Sequence, residues 1–420
     1  MLVEFRAKNF RSLREEQTLS FVAAADHSHR VSNCIETNHS GAASLTRAAV
    51  MYGANASGKS NFLFALMTMR EMVLRSTTLP PPGLAALYTP FRLDGASARE
   101  PVEFEIALLL DGIRYQYGFA FDAERIHREW LLVYKTAKAQ RWFERRYERK
   151  SDQEEWEPFS AYFTGERETW KKTTRAQALF LTTAFQLNST QLTPLYDWFS
   201  GGLVVLPTGA QFDVLPTLAK LEDPAYKSRI LKLLNAADIN IADIRVHKRA
   251  GQQLEMKLEP GKPPELRATP GEIPEIEFCH QRDGGEPVWF SQSFESAGTL
   301  RLLSYAGPLL DAIENGRTLV MDEFDTSLHP LLTRYILGFI QSPELSKHGA
   351  QLWMTTHDTT LLDPEILRRD QIWFVEKKHP QQESVVYPLT DFSPRKNEAL
   401  ERGYLMGRYG ALPYLSDFRF

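Results

Sequence analysis

The residues with the clearest chemistry form one glycine-rich segment, Gly53-Ala54-Asn55-Ala56-Ser57-Gly58-Lys59-Ser60. It matches the G-x-x-x-x-G-K-[ST] pattern of a phosphate-binding loop. Glycines permit a tight turn whose backbone N–H groups point at phosphate oxygens, and the following helix adds the positive end of its dipole. Lys59 supplies a charge for the β- and γ-phosphates, and the Ser60 hydroxyl suits Mg²⁺, which prefers oxygen ligands. The segment therefore predicts a site for a nucleoside triphosphate with Mg²⁺.

Two acids, Asp322 and Glu323, end the apolar segment Thr318–Met321. Carboxylates are costly to bury at a strand end unless they meet a cation or hydrogen-bond donors. Asp322 fits a Mg²⁺ ligand, and Glu323 fits the base that orients and activates the attacking water. Many strands end in acids at a turn, so the two acids indicate a metal site mainly because the chain also contains the glycine-rich segment.

Two weaker signals accompany these motifs. The apolar segment Gln351–Thr355 leads into His357, which in this position would lie beside a γ-phosphate; a satisfied structural imidazole is the plain alternative. The turn Glu295–Leu300 contains Ser296, Gly298 and Thr299 just before a helical pattern. It starts a helix as an N-cap, and its free hydroxyl and N–H groups also suit an anion.

Strands and helices must alternate at both ends of the chain to position these residues. The apolar run 48–51 before the loop and the helical spacing over 61–75 after it begin a βα unit. That context disfavours the alternative, a glycine-serine turn that binds nothing. Alternation over 2–10, and the Asp111-Gly112 pair between two apolar runs, predict antiparallel strands.

The second half of the chain shows the same alternation after a different middle. Residues 176–200 and 213–236 have helical periodicity, whereas 255–287 are rich in Pro, Gly and Glu and predict a loop. From Phe290 onward the pattern is again βαβ, with these predicted elements: helix 300–313, strand 318–321, helix 330–341, strand 351–355 and strand 371–376.

Composition limits the class of protein. The chain has 420 residues, 43% of them hydrophobic and 24% charged, with a net charge of −4, which excludes a disordered or fibrous chain. Two cysteines exclude a disulfide framework and favour a reducing compartment. The sequence contains no apolar run long enough to span a membrane, and its start does not resemble a signal peptide. We therefore expect a cytoplasmic protein without a membrane partner.

One segment, Arg125–Lys150, departs from the overall charge balance. It carries nine Lys/Arg against three Glu, with Trp, Tyr and Phe residues interleaved. Such a segment predicts contact with nucleic-acid phosphates or an acidic partner. The alternative is a solvated charged face whose aromatic residues lie in a core.

In this order and spacing, the four motifs resemble those of the ABC-type ATPase superfamily. The opening Phe5–Leu13, with Asn9-Phe10-Arg11-Ser12, is similar to that of the RecF/OLD-like branch, as is Ser327-Leu328-His329-Pro330 after the acids. The tail Glu401–Pro413 resembles that of bacterial ATPases found in abortive-infection phage-defence operons. The resemblance covers 1–120 and 285–420.

The resemblance implies an α/β fold, an ABC-ATPase head with an inserted α-rich lobe. The head combines a mixed sheet with a P-loop βα core and an antiparallel β-subdomain. Its two halves are expected at 1–122 and 289–420, and the inserted basic and helical lobe at 123–288. Many members carry Asp where this chain has Leu328-His329, and the turn 296–299 is Ser-Ala-Gly-Thr rather than Ser-Gly-Gly-Gln.

The resemblance also implies a head-to-tail homodimer with ATP·Mg²⁺ at composite interfaces. Glu323, His357 and Lys59 would be catalytic, and a glutamine at a lobe junction would contact Mg²⁺ beside Ser60 and Asp322; Gln186 is our choice. Ser296, Gly298 and Thr299 of the other subunit would cover the nucleotide. The remaining nucleotide-binding residues would be Gly53, Asn55, Ser57, Gly58, Lys59, Ser60 and Asn61.

OLD-type nucleases continue into an acidic Toprim module, whereas the residues after the last predicted strand contain Asp391 and Glu398 but no clustered acids. We therefore predict an ATPase without nuclease activity, a sensor or regulator in anti-phage defence that serves a separate nuclease or toxin. One alternative is a RecF-like DNA-repair ATPase that binds DNA directly, although the charge of −4 and the lack of sustained heptads weigh against it. Another is a nucleotide-locked scaffold in which turnover is incidental.

Overall fold

The computed structural model describes residues 1–80, 83–206, 214–257, 265–395 and 398–413. Its strands are β1 Leu2–Lys8, β2 Gln17–Ser20, β3 Cys34–Glu36, β4 Ser44–Thr46, β5 Ala48–Tyr52, β6 Val102–Leu110, β7 Ile113–Phe121, β8 Ile126–Tyr134, β9 Gln140–Glu148, β10 Gln153–Trp156, β11 Leu203–Leu206, β12 Asp243–Lys257, β13 Glu265–His280, β14 Val288–Ser291, β15 Thr318–Met321, β16 Gln351–Thr355, β17 Ile372–Lys378 and β18 Glu383–Pro388. Its α-helices are α1 Arg30–Asn33, α2 Lys59–Arg75, α3 Gly83–Leu87, α4 Arg167–Thr173, α5 Phe180–Gln186, α6 Thr193–Asp197, α7 Leu215–Leu218, α8 Pro224–Ala236, α9 Ala297–Asn315, α10 Pro330–Gln341 and α11 Leu400–Leu405.

The chain forms two compact units. The first unit contains Met1–Thr208, Ala312–Asp325 and Thr333–Phe420, and the second contains Gly209–Asp311 and Thr326–Leu332. Neither unit is continuous in sequence, because the chain leaves the first unit and returns to it. Among the described residues, no helix has both the length and the apolar character needed to cross a membrane.

An antiparallel sheet makes up one layer of the first unit, in the order β10-β9-β8-β7-β6-β1-β2. Its central hairpin turns at Asp111 and Gly112, where both φ angles are positive and Leu110 pairs with Ile113. Two positive φ values fit the right-handed twist of the flanking strands, which is why Asp-Gly is favoured at such turns. This hairpin confirms the prediction from sequence.

A second sheet of the first unit has the order β11-β15-β16-β5-β17-β18, with every neighbouring pair parallel except β17 and β18. All five residues of β5 are buried, as expected for a strand covered on both faces. The acidic strand β15 is separated from β5 by β16. Carboxyl ends of parallel strands meet at one edge of a sheet, so the motifs that follow β5, β15 and β16 share that edge.

Helix α2 packs between these two sheets. The Phe62 ring on α2 lies 5.5 Å from Phe5 of β1 and 5.3 Å from Trp353 of β16, measured between ring centroids. The buried carboxamide of Gln351 joins the sheets directly: it accepts a hydrogen bond from the backbone N–H of Leu2 and donates one to its carbonyl. These contacts fix the helix that carries the phosphate-binding loop.

The predicted boundary at 122/123 is wrong. Strands β8, β9 and β10 extend the antiparallel sheet of the first unit, with β8 paired to β7 along its length. The buried carboxylate of Glu129 on β8 also accepts the first N–H groups of α5, from Phe180 and Leu181, and so caps that helix. The high content of basic residues suggested an inserted segment here. Charge content does not decide secondary structure, however, and the apolar and polar residues of this segment alternate as they do in strands.

The predicted loop over 255–287 is wrong for 255–257 and 265–280, which belong to strands, whereas 281–287 does form a loop. Strands β12 and β13 pair continuously from Asp243 with Cys279 to Lys257 with Glu265, and the middle of the chain is therefore not α-rich throughout. Pro270 and Pro274 lie in a part of β13 that pairs only with β12, because β14 joins β13 at 277–280. A proline is tolerated on such an edge, where its missing N–H breaks no second ladder.

Candidate phosphate-binding and acidic site

The loop between β5 and α2 accepts only glycine at two positions. A Cβ on Gly53 would lie 2.3 Å from the carbonyl oxygen of Val375, and a Cβ on Gly58 would lie 2.1 Å from the Ser384 hydroxyl. Gly58 also has a φ of 112°, immediately before the first residue of α2. The glycines predicted from the motif are therefore required by close backbone approach and by backbone conformation.

Polar groups inside this loop are arranged for an anion. The Lys59 side chain is 6% exposed, and its Nζ donates hydrogen bonds to the carbonyls of Gly53 (2.6 Å) and Ala54 (3.1 Å). The Ser57 hydroxyl is buried, and no described residue forms a hydrogen bond with it. This hydroxyl is therefore available to a ligand bound in the loop.

The two acids are held by one threonine. The Thr355 hydroxyl donates to Asp322 Oδ1 at 2.6 Å and accepts from the backbone N–H of Glu323 at 2.7 Å. Asp322 is buried, whereas Glu323 is half-buried with a φ of 48°, which turns the chain away from the strand direction. Residues 321 and 354 are paired across β15 and β16, so Thr355 lies beside Asp322 by register.

Asp325 positions the histidine. Both of its carboxylate oxygens accept the backbone N–H of His357 at 3.2 Å. Partial burial of the imidazole and the positive charge of Lys59 lower the pKa of His357, and the acids 322, 323 and 325 oppose that shift. The side chain is therefore neutral at pH 7 and able to both donate and accept a hydrogen bond.

Lys59 is electrostatically coupled to the same acids. Burial lowers the pKa of its ammonium group, and the charges of Asp322, Glu323 and Asp325 raise it. The three carboxylates follow the end of β15, which is separated by β16 from β5, the strand that leads into the loop. The fold thus brings Lys59, Asp322, Glu323 and His357 to one edge of the sheet, and their roles toward a nucleotide stay a prediction.

The N-terminal turn also reaches this edge. The Ser12 hydroxyl accepts hydrogen bonds from the Asn61 amide and from the Ser384 hydroxyl, both at 2.8 Å. The Arg11 guanidinium lies 4.3 Å from the centre of the Phe64 ring on α2. The Asn61 side chain is thus engaged with the turn, while Asn55 is exposed at the tip of the loop.

Gln186 is not brought to the predicted metal site, and that choice needs correction. Its amide donates to the Thr77 hydroxyl just beyond the carboxyl end of α2, whereas Ser60 lies in the first turn of the same helix. A 17-residue helix is about 25 Å long, far beyond the reach of a glutamine side chain. The helical pattern around Gln186 placed it on a helix but contained no information about which end of α2 it meets.

The turn 296–299 belongs to the second unit and starts α9. The Ser296 hydroxyl accepts the N–H of Thr299 at 3.0 Å, and the two hydroxyls lie 2.9 Å apart. A Cβ on Gly298 would lie 3.0 Å from the carbonyl oxygen of Ser327. The predicted N-cap is therefore present, and the role of Ser296, Gly298 and Thr299 toward a nucleotide stays a prediction.

A cavity of about 980 Å³ adjoins the loop and was not predicted. Its walls are loop residues 53–57, His357, the end of β17 and C-terminal residues from Tyr404 to Pro413. The sequence offered a signal for Thr355, which is the last residue of the strand preceding His357, and for Asp325, three residues after Asp322. The sequence offered no signal for the C-terminal residues that line the cavity, because they lie far from the loop along the chain and approach it only in the folded structure.

Most arginines of 125–150 are engaged within the sheet. Five of them form ion pairs with Glu or Asp side chains of β8, β9 and nearby residues: Arg125, Arg128, Arg141, Arg145 and Arg146. Trp130, Trp142 and Phe143 are buried. These pairs favour the charged-face alternative, and contact with nucleic acid through this segment stays a prediction.

Comparison with known families gives one match. The model of a family described as "AAA domain, putative AbiEii toxin, Type IV TA system" matches residues 48–363, which include the loop, both acids and His357. No curated protein matches the chain.

Proposed function

Since the chain belongs to this AAA-domain family of ATPases, we propose that it binds ATP·Mg²⁺ on the loop 53–60 and hydrolyses it to ADP and phosphate. The observation that carries the proposal is the Thr355 bridge, which holds Asp322 and Glu323 at the same sheet edge as Lys59. The partnerless Ser57 hydroxyl supports a phosphate ligand in the loop.

The residues of the loop fit the phosphates and the metal. Lys59 and the backbone N–H groups bind phosphate oxygens. The Ser60 hydroxyl and the Asp322 carboxylate supply the oxygen ligands that Mg²⁺ prefers. When bound, Mg²⁺ offsets the negative charge of the β- and γ-phosphates.

Glu323 and His357 carry the hydrolytic step. A Glu323 carboxylate oxygen accepts a proton from the attacking water as its oxygen bonds to the γ-phosphorus, and the bond to the ADP oxygen breaks. Neutral His357 donates a hydrogen bond from its ring N–H to a γ-phosphate oxygen. Asp325 fixes the backbone from which that ring extends by accepting the N–H of His357.

A second copy of the chain completes the site in this proposal. Ser296, Gly298 and Thr299 start the 19-residue helix α9, and Ser296 is exposed. The positive end of a long helix and an exposed hydroxyl suit a phosphate bound by another molecule. We therefore expect a head-to-tail homodimer with two ATP molecules, each bound between the loop of one copy and the turn 296–299 of the other.

The biological role follows from the family description, which names a toxin–antitoxin system. We propose a sensor or regulator whose ATP-bound dimer holds or releases a separate effector, a nuclease or a toxin, in anti-phage defence. Affinity purification from the native host, with and without infection, tests this role. An effector-like protein that binds only one nucleotide state supports it, and an unchanged set of bound proteins contradicts it.

Nucleotide binding is tested by thermal unfolding with and without ATP·Mg²⁺. At 100 times its dissociation constant, a ligand stabilises the folded state by about 2.7 kcal/mol. Lys59→Ala should abolish the shift in melting temperature, and Lys8→Ala, an exposed lysine of β1, should leave it unchanged. An unchanged shift in the Lys59 variant would contradict the phosphate assignment.

Hydrolysis and dimerisation are tested with Glu323→Gln. The variant should bind ATP, lose turnover and accumulate as a dimer in light scattering, because ATP is no longer converted. Single copies at saturating ATP would contradict the composite site. Full activity in cells without turnover would instead support the scaffold alternative.

A further inference from the structure

The cavity beside the loop contains a lysine that no predicted role uses. Lys377 near the end of β17 lines it together with loop residues 53–57, His357 and His379. Lys377 is half-buried, and within the described parts of the chain no side chain forms an ion pair or hydrogen bond with its ammonium group. Glu376 also lines the cavity, and its carboxylate accepts a hydrogen bond from the Tyr387 hydroxyl. A half-buried cation without an ion-pair partner among the described residues, next to an anion-binding loop, is matched to an anion.

The topology explains why Lys377 reaches the loop. Strand β17 is the parallel neighbour of β5, with Phe374 paired to Tyr52, the residue before the loop. Both strands therefore end at the same edge of the sheet. Successive side chains of a strand point to opposite faces, so Lys377 shares a face with Val375, which packs in the same core cluster as Phe62 of α2.

The neighbouring lysine provides a contrast within the same strand. Lys378 is exposed, lies on the opposite face of β17 and does not line the cavity. Glu376, the acid nearest in sequence, receives a hydrogen bond from the Tyr387 hydroxyl at 3.2 Å. His379 is paired with Gln382. Lys377 is thus a cation that lines the cavity without an ion-pair partner among the described residues.

We propose that Lys377 binds the terminal phosphate of the nucleotide and makes the site selective for the triphosphate. The cavity is lined by the first five loop residues and by His357, which the proposed mechanism places against a γ-phosphate oxygen. Lys377 lines the same cavity, and this places it on the γ-phosphate side. The inference rests on the proposed ATP site and adds a residue that no motif in the sequence identified.

Equilibrium binding of ATPγS and ADP to the full chain tests the proposal. A hydrogen bond between charged groups supports a change of about tenfold or more in affinity. Lys377→Gln should weaken ATPγS binding about tenfold and ADP binding less than twofold, and Lys377→Arg should restore most of the loss. Lys378→Gln is the matched control and should leave both affinities unchanged.

A measurement on the unaltered protein tests the same proposal without depending on whether the variant folds. Amine acylation followed by peptide mass spectrometry compares Lys377 with Lys378 in the same molecule. ATPγS·Mg²⁺ should protect Lys377 several-fold, ADP should protect it little, and Lys378 should react equally in all samples. Equal protection of Lys377 by both nucleotides, or none by either, would overturn the proposal.

The results separate this inference from the proposed function. Binding of ATPγS that requires Lys59 but is the same in the wild type and in Lys377→Gln overturns the role of Lys377 alone. Binding that does not require Lys59, or no binding by the wild type, overturns both.

Discussion

Thr355 should control turnover although it touches neither nucleotide nor metal in the proposed mechanism. Its hydroxyl makes two hydrogen bonds, one to the Asp322 carboxylate at 2.6 Å and one from the N–H of Glu323 at 2.7 Å. Thr355→Val keeps the shape of the side chain and removes both bonds. The metal ligand and the base then lose the group that orients them.

The size of the effect follows from the two bonds. A hydrogen bond to a charged group contributes about 1.5–3 kcal/mol and a neutral one about 0.5–1.5 kcal/mol. Their combined loss is about 2–4.5 kcal/mol, and each 1.36 kcal/mol on the barrier is tenfold in rate. We expect kcat to fall roughly 30- to 2,000-fold, with a smaller change in the dissociation constant of ATP because the loop is intact.

The assay is phosphate release at saturating ATP·Mg²⁺, with melting temperatures recorded for each variant. Thr355→Ser keeps the hydroxyl and should stay within about threefold of the wild type. Thr356→Val is the matched control, since Thr356 is equally buried but its hydroxyl accepts the N–H of Asp358 and contacts neither acid among the described residues. Turnover of Thr355→Val within threefold of the wild type, or an equal loss in Thr356→Val, would refute the reasoning.

Two further predictions concern pH and stability. The pKa of His357 is lowered from its ordinary 6.5, so the unfolded chain binds more protons than the folded chain and the folded state loses stability below pH 6.5. Turnover should be flat above pH 7 and fall below pH 6.5. The His357→Gln variant should lack this part of the pH dependence of unfolding. Glu129→Gln leaves the buried Arg145 guanidinium without its main counter-charge and should destabilise the protein by about 3–5 kcal/mol, whereas Glu157→Gln, in an exposed pair, should cost less than about 1 kcal/mol by melting temperature. Equal profiles with and without His357, or equal melting temperatures for the Glu129 and Glu157 variants, would contradict these expectations.

The sequence predicted those elements whose signal is local. Strands Thr318–Met321 and Gln351–Thr355 and helix Pro330–Gln341 have the predicted bounds, and the hairpin at Asp111-Gly112 is present. Each is specified by the period of its own residues or by a turn that needs positive φ. For β8 and β9 the charge content was followed instead of the strand period, and for the β12–β13 pair the Pro and Gly content predicted a loop where an edge strand tolerates proline.

The sequence by itself predicted phosphate-binding chemistry for the loop 53–60 and metal-binding chemistry for the acids 322 and 323, since residue type and spacing specify what can bind a phosphate or a metal. Only the tertiary structure decided which groups meet. Strand order places Thr355 between the acids and the loop, puts Lys377 on the loop's other side and leaves Gln186 at the far end of α2. The physical reason is that proximity across a sheet edge depends on which strands pair, and pairing is set by the packing of the whole unit rather than by any one segment.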